Sequence, residues 1–161
     1  MRLELHKGVQ GLITAFKAGD AENETSYLLI VGHGDYEEQL KRISANQSRI
    51  IFAGNIEYEK IHTAYFASDL FVLPTYHDAW GLVINEALAC DLPVITTTAA
   101  GASLDLLNTG FVIDPGKPQK LQRVLGEAIE KHINIEMNNH IDQWTVRESI
   151  KTVESILSNL V

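Results

Sequence analysis

The sequence predicts an α/β domain built on a doubly wound parallel sheet, closed by C-terminal helices. Two observations carry this. Short, wholly apolar runs alternate with longer segments of helical periodicity, as strands covered on both faces alternate with crossover helices. After Pro118 the pattern becomes helical throughout. The length of 161 residues, with 45% hydrophobic and 21% charged composition, fits one domain over residues 1–161 with a core of useful size.

The elements follow in order. Val9–Ala18 reads as a helix, and Tyr27–Val31 (YLLIV) as the first strand candidate. Helix Tyr36–Ala45 leads to strand Ile50–Ala53 (IIFA), and helix Glu57–Ala67 to strand Leu70–Leu73 (LFVL). Helix Leu82–Ala89 precedes strand Pro93–Thr96 (PVIT), and helix Ser103–Leu107 precedes strand Phe111–Ile113 (FVI). Right-handed crossovers between such strands give a parallel sheet. Lys120–Lys131 places Leu121, Val124, Leu125, Ala128 and Ile129 at 3-and-4 spacing, and Thr145–Leu160 does the same with Val146, Ile150, Val153, Ile156, Leu157 and Leu160. Asn134–His140 between them is polar and has no clear period.

Charge and composition exclude several functions. The formal charge of −8 leaves no basic stripe to replace phosphate counterions, so nucleic acid is not an expected partner. A small phosphorylated ligand needs only one or two cations held locally. No apolar stretch approaches the roughly 20 residues that span a bilayer, and charges interrupt MRLELHKGVQ before a signal-peptide core can form. A single cysteine, Cys90, in an apolar setting reads as a buried thiol in a reducing, cytoplasmic compartment. The sequons at Asn23 and Asn46 are read as chance. Among the six histidines none forms an H-x-x-x-H pair, so metal binding by the chain alone is not expected; no cofactor is expected either.

Ligands of open parallel sheets lie beyond the carboxyl ends of the strands. The segments there are Gly32–Tyr36, Gly54–Tyr58, Pro74–Gly81, Thr97–Gly101 and Asp114–Gly116. Gly32-His33-Gly34 fails the dinucleotide fingerprint because Glu37 stands where its third glycine belongs, which leaves a tight strand-to-helix turn. Pro74–Pro93 (PTYHDAWGLVINEALACDLP) is more informative. Gly81 leaves a helix N-terminus uncovered by a side chain, so free N–H groups and the positive dipole end can receive a phosphate. Asp78 lies just ahead of that end. Glu86 lies more than one turn inside, on the face of Leu82 and Val83, where a carboxylate can accept two hydrogen bonds from vicinal hydroxyls such as those of ribose. Spacing alone equally allows Asp78 merely to favour the dipole and Glu86 to face solvent.

At this segment the sequence resembles glycosyltransferase family 4, retaining enzymes of the GT-B fold. Their E-x7-E signature, within P-S-x-x-E-x-F-G-x-x-x-x-E-A, is matched by Pro74-Thr75-Tyr76-His77-Asp78-Ala79-Trp80-Gly81 and then Glu86-Ala87. Arg2-Leu3 with Lys7-Gly8 resembles R-L-x-x-x-K-G, Leu29–Gly34 resembles L-x-I-V-G-x-G, Phe52-Ala53-Gly54 resembles F-x-G, and Gly110–Pro115 resembles G-x-L-V-x-P. The likeness covers nearly the whole chain in unbroken order.

The resemblance implies a Rossmann-like, C-terminal donor-binding half of a GT-B enzyme that moves a sugar from a UDP- or GDP-linked donor to an acceptor with retention. It implies that Arg2 and Lys7 bind the donor diphosphate and stabilise it as leaving group, and that Asp78 holds the transferred sugar's hydroxyls. Glu86 would bind the ribose, backbone near Gly81, Leu82 and Val83 would meet phosphate and sugar, and Ile56 would flank the base, with Gly32 also in the donor site. It implies no metal. Three departures stand out: Asp78 replaces a glutamate, Cys90-Asp91 replaces a small residue plus glycine, and the strand that precedes R-L-x-x-x-K-G in the family, with the acceptor-binding domain before it, has no counterpart. A truncated product, or a partner supplying the strand, is the expectation, with Met1–Leu5 as a makeshift strand the alternative. The chain alone is expected to be inactive, with any peripheral membrane contact made through the missing domain. The competing functions are a non-catalytic nucleotide-sugar-binding module and a nucleotide-sugar epimerase.

Overall fold

A computed structural model describes residues 2–19, 26–107 and 111–131. In chain order these form α1 (Val9–Gly19), β1 (Leu28–Val31), α2 (Glu37–Ile43), β2 (Ile50–Gly54), α3 (Ile61–Phe66), β3 (Phe71–Leu73), α4 (Leu82–Ala89), β4 (Val94–Thr97), α5 (Ala102–Leu106), β5 (Val112–Ile113) and α6 (Pro118–Lys131). Every strand pairing is parallel, as the alternation of strand and helix predicts. The helices expected at Thr145–Leu160 and the polar stretch Asn134–His140 lie outside the described residues, as do Met1 and Asn23. The expected helix over 57–67 opens instead as a 3-10 turn, Tyr58–Lys60, because Lys60 N–H bonds to the Glu57 carbonyl before the α-pattern begins at Ile61.

The strands divide into a β1–β2 sheet and a β3–β4–β5 sheet. Backbone polarity shows how the two halves meet. Leu28 N–H donates to the Arg49 carbonyl at 2.9 Å and Gly32 N–H to that of Gly54 at 2.7 Å, so even-numbered residues of β1 face β2. Odd-numbered ones face the opposite way, and His33 there accepts from Leu3 N–H at 2.8 Å. On β3, Phe71 N–H faces Pro93, while Tyr76 N–H, on the other side, donates to the His6 carbonyl at 2.7 Å. Leu3–His6 therefore bridges the carboxyl ends of β1 and β3. Among the described residues no strand pairs with the inner edge of either sheet. Over its described residues the amino-terminal segment is not the makeshift strand expected as the alternative: Arg2 makes an isolated bridge to His33, and Leu5–Lys7 is a 3-10 turn.

Burial refines the expectation that strands are covered on both faces. It holds for β4, all four of whose residues are buried. It fails for β1 and β2, where Leu29 is 39% and Ile51 44% exposed. The reason is one-sided packing: Leu28, Ile30, Ile50 and Phe52 join Phe16 of α1 and Leu40 of α2 in one cluster, which leaves the alternate residues outward. α6 packs along α1 and adds Leu121, Val124 and Leu125 to that cluster. A second cluster joins Tyr65 of α3, Leu73 of β3, and Ile84, Ala87 and Leu88 of α4. It holds α4 against the sheet and fixes the position of that helix's N-terminus.

Candidate functional site

The site is assembled by contacts between the Leu5–Gly8 turn and the loop after β3. Thr75, fully buried, has its hydroxyl 2.9 Å from the His77 carbonyl and 3.1 Å from that of His6. Thr97 at the end of β4 donates to the Thr75 carbonyl at 2.6 Å. Gly8 has a left-handed backbone (φ 71), and a β-carbon there would overlap the Pro74 carbonyl oxygen. Only glycine lets the two segments lie this close. Lys7 Nζ consequently reaches Asp78 Oδ2 at 2.7 Å, with both side chains largely buried, at 17% and 18% exposure.

The far side of the loop is pinned to the β4–α5 connection. Asp78 N–H donates to the Ala99 carbonyl at 3.0 Å, Gly101 N–H to that of Asp78 at 3.2 Å, and Ala102 N–H to that of Trp80 at 2.8 Å. Trp80 Nε1 donates to Asn85 Oδ1 at 2.9 Å, which ties the loop to α4 itself. Gly81 then starts α4 in the left-handed conformation (φ 88) with no side-chain cap. The first N–H groups of a helix have no intrahelical acceptor, and roughly half a positive charge gathers at them. That tip follows directly on the loop that carries Asp78, to which Lys7 reaches from the Leu5–Lys7 turn. The arrangement offers fixed donors to an anion and a carboxylate to a hydroxyl-bearing group beside it.

Glu86, on α4, accepts a hydrogen bond from Tyr65 Oη at 2.7 Å. Burial, and secondarily the Glu86 carboxylate, push the Tyr65 phenol far above its ordinary range, so the hydroxyl stays protonated and donates. Of the other sequence-derived candidates, Leu82 is 69% exposed at the helix tip and Val83 half-buried. Gly32 is buried, and its N–H bond to the Gly54 carbonyl sets the two loops side by side; Ile56 follows, half-buried. Arg2 is not drawn into this group. Its guanidinium pairs with Glu4 at 3.1 Å and is 68% exposed.

Sequence reasoning missed Tyr65, Thr75 and Thr97 as residues that build the site. Thr75 and Thr97 lie in segments at the carboxyl ends of strands, and a threonine at a strand end where the sheet is covered is the signal that could have marked them. Tyr65 sits on a helix distant in sequence, and nothing local points to its partner. Cys90 is half-buried rather than buried; burial still raises its thiol above the ordinary range. Asp91 adopts the left-handed conformation (φ 57) where the resemblance leads one to expect glycine. A groove of about 410 Å³ between α1 and α6 is lined by Gln10, Thr14, Tyr76, Gln119, Gln122 and other uncharged residues, so it offers a diphosphate no countercharge. Among the described residues no cluster of His, Cys, Asp or Glu is placed to hold a metal ion, and no helix is long and apolar enough to cross a membrane.

Parallel sheets flanked by helices, with the loops at their carboxyl ends drawn together, make this the fold of a GT-B glycosyltransferase C-terminal domain. The C-terminal domain of a glycosyl transferase group 1 family protein from Francisella tularensis superposes with a TM-score of 0.71 at 24% identity, over 80% of this chain and 71% of that one. The family model for group 1 glycosyl transferases matches residues 1–144, and the chain belongs to that family. A GDP-mannose-dependent monoacylated α-(1-6)-phosphatidylinositol monomannoside mannosyltransferase of Corynebacterium glutamicum is 33% identical over 141 residues, which cover 82% of this chain and 37% of that protein. Anabaena Alr3699/HepE, solved in complex with UDP and glucose, is 27% identical with a TM-score of 0.70, over 82% of this chain and 38% of that one. The chain thus spans well under half the length of this curated relative.

Proposed function

We propose that this chain is the donor-binding part of a retaining glycosyltransferase of family 4, which takes a sugar from a UDP- or GDP-linked donor and passes it to an acceptor held by a domain outside this chain. The observation that carries the reading is the Lys7–Asp78 pair, 2.7 Å apart, which joins the Leu5–Lys7 turn to the loop that ends at the uncapped tip of α4. The UDP and glucose of the Anabaena relative, and the GDP-mannose dependence in the name of the Corynebacterium one, support a nucleotide-sugar donor.

In this reading the diphosphate lies across the α4 tip with Lys7 against it, and Glu86 accepts the ribose hydroxyls. Asp78 accepts a hydroxyl of the transferred sugar, and Ile56 flanks the base. Glycosyl transfer builds negative charge on the departing diphosphate and positive charge on the sugar. Donors already fixed by the fold lower that barrier without reorganising at the moment of reaction. The Lys7 ammonium has three protons, so it can keep Asp78 while bonding a phosphate oxygen. Arg2 contributes by leaving Glu4 and turning to the diphosphate.

Calorimetric titration with UDP and GDP tests this directly. Saturable binding of at least one of them, lost on Lys7→Ala, is expected. Absence of binding by either, in a chain shown to be folded, overturns the proposal.

A further inference from the structure

We propose that Tyr65 is a positioning residue that holds Glu86 for the donor's ribose, and so sets a preference for ribonucleotides over 2′-deoxyribonucleotides. This rests on the donor-site reading above and extends it to a residue that no part of that reading requires.

Tyr65 stands on α3 and Glu86 on α4, 21 positions apart, and the phenol Oη meets Glu86 Oε2 at 2.7 Å. The ring is fixed from the core side. Tyr65 is 8% exposed, belongs to the cluster of Leu73, Ile84, Ala87 and Leu88, and packs edge-on against Phe71 with centroids 5.7 Å apart. A core position filled only for packing would take phenylalanine at less desolvation cost. The hydroxyl instead reaches the one carboxylate of α4, and burial keeps it protonated and donating.

The consequence is preorganisation. A free glutamate samples many rotamers and loses them on binding. Here one oxygen is already held by a rigid ring, and a carboxylate has about four acceptor positions, so those left over can take two vicinal hydroxyls. Removing the phenol oxygen leaves Glu86 mobile and weakens the bonds that depend on its placement. A ligand with no 2′-hydroxyl loses less.

The test compares affinities of the full chain for UDP and 2′-deoxy-UDP, and for GDP and 2′-deoxy-GDP, in wild type, Tyr65→Phe, Glu86→Ala and the double variant. Wild type is expected to favour the ribonucleotide about tenfold or more, the size of one charge-assisted hydrogen bond. Tyr65→Phe is expected to shrink that ratio at least threefold, with 2′-deoxy affinity falling less than ribonucleotide affinity because only its 3′-hydroxyl reaches Glu86, and to have no further effect once Glu86 is alanine. A ratio retained in Tyr65→Phe, or an equal loss in both Glu86 backgrounds, overturns the positioning role while the donor-site reading stands. If wild type binds ribo and deoxy forms equally, the ribose role of Glu86 itself fails, and this inference with it.

Discussion

Gly8→Ala isolates the contact on which the site's assembly depends. A β-carbon at position 8 would overlap the Pro74 carbonyl oxygen and lie 2.9 Å from its carbon. Carbon atoms settle near 3.5 Å or beyond, so the Leu5–Gly8 turn must retreat from the loop by at least about 0.6 Å. The 2.7 Å bond from Tyr76 N–H to His6 then stretches past the usual limit of about 3.2 Å, and the Lys7–Asp78 pair opens with it. Three costs combine: about 1–2 kcal/mol for a left-handed alanine, about 1–3 for overpacking, and about 1 for the backbone bond. The expected loss is about 3–6 kcal/mol. Gly54→Ala is the matched control, since Gly54 has nearly the same conformation (φ 68) and a β-carbon added there would meet nothing within 4 Å, so only the first cost applies. Urea unfolding of both variants reads the difference through their midpoints. Equal losses, within about 0.5 kcal/mol, refute the claim that close approach to Pro74 is what requires Gly8.

Glu86→Ala should weaken nucleoside diphosphate binding by about 1–3 kcal/mol in calorimetry, the loss for charge-assisted hydrogen bonds; unchanged affinity removes Glu86 from the site. Asp91→Gly relieves a non-glycine left-handed residue (φ 57) after α4 and should raise unfolding stability by about 0.5–1 kcal/mol in a urea melt. Cys90, its thiol raised chiefly by burial and further by Asp91 and Glu86, should be alkylated by iodoacetamide at pH 8 more slowly than a free cysteine. Because the folded state holds that proton more tightly than the unfolded chain, this group's stabilising contribution is present below the ordinary thiol range and lost as pH rises above it, which unfolding curves across pH 7–10 would follow.

The legible parts of the fold are those that local chemistry determines. Leu82–Ala89 is a helix with the bounds its sequence predicts, because Gly81 opens it and Cys90-Asp91 with Pro93 close it. The parallel pairings follow from the alternation of strand and helix, which admits few other topologies. The division into two sheets is harder to read in full: a gap in strand pairing leaves no trace in hydrophobic periodicity, and the exposure of Leu29 and Ile51 depends on which face α1 and α2 choose. The site divides along the same line. The uncapped tip at Gly81 follows from the residue type, and the resemblance singles out Lys7, Asp78 and Glu86. Their partners do not follow. Lys7 meets Asp78 across 71 positions and Tyr65 meets Glu86 across 21, through tertiary packing that single-sequence spacing does not encode. Arg2 shows the reverse: the resemblance singles it out, and the fold pairs it with its near neighbour Glu4.

A crystal structure of the chain with UDP or GDP bound would show whether the α4 tip holds the donor diphosphate. Phosphate oxygens are expected within hydrogen-bond distance of the Leu82 and Val83 N–H groups and of Lys7 Nζ, with ribose hydroxyls on Glu86. A nucleotide lodged elsewhere, such as in the groove between α1 and α6, with the α4 tip facing only solvent, would contradict it.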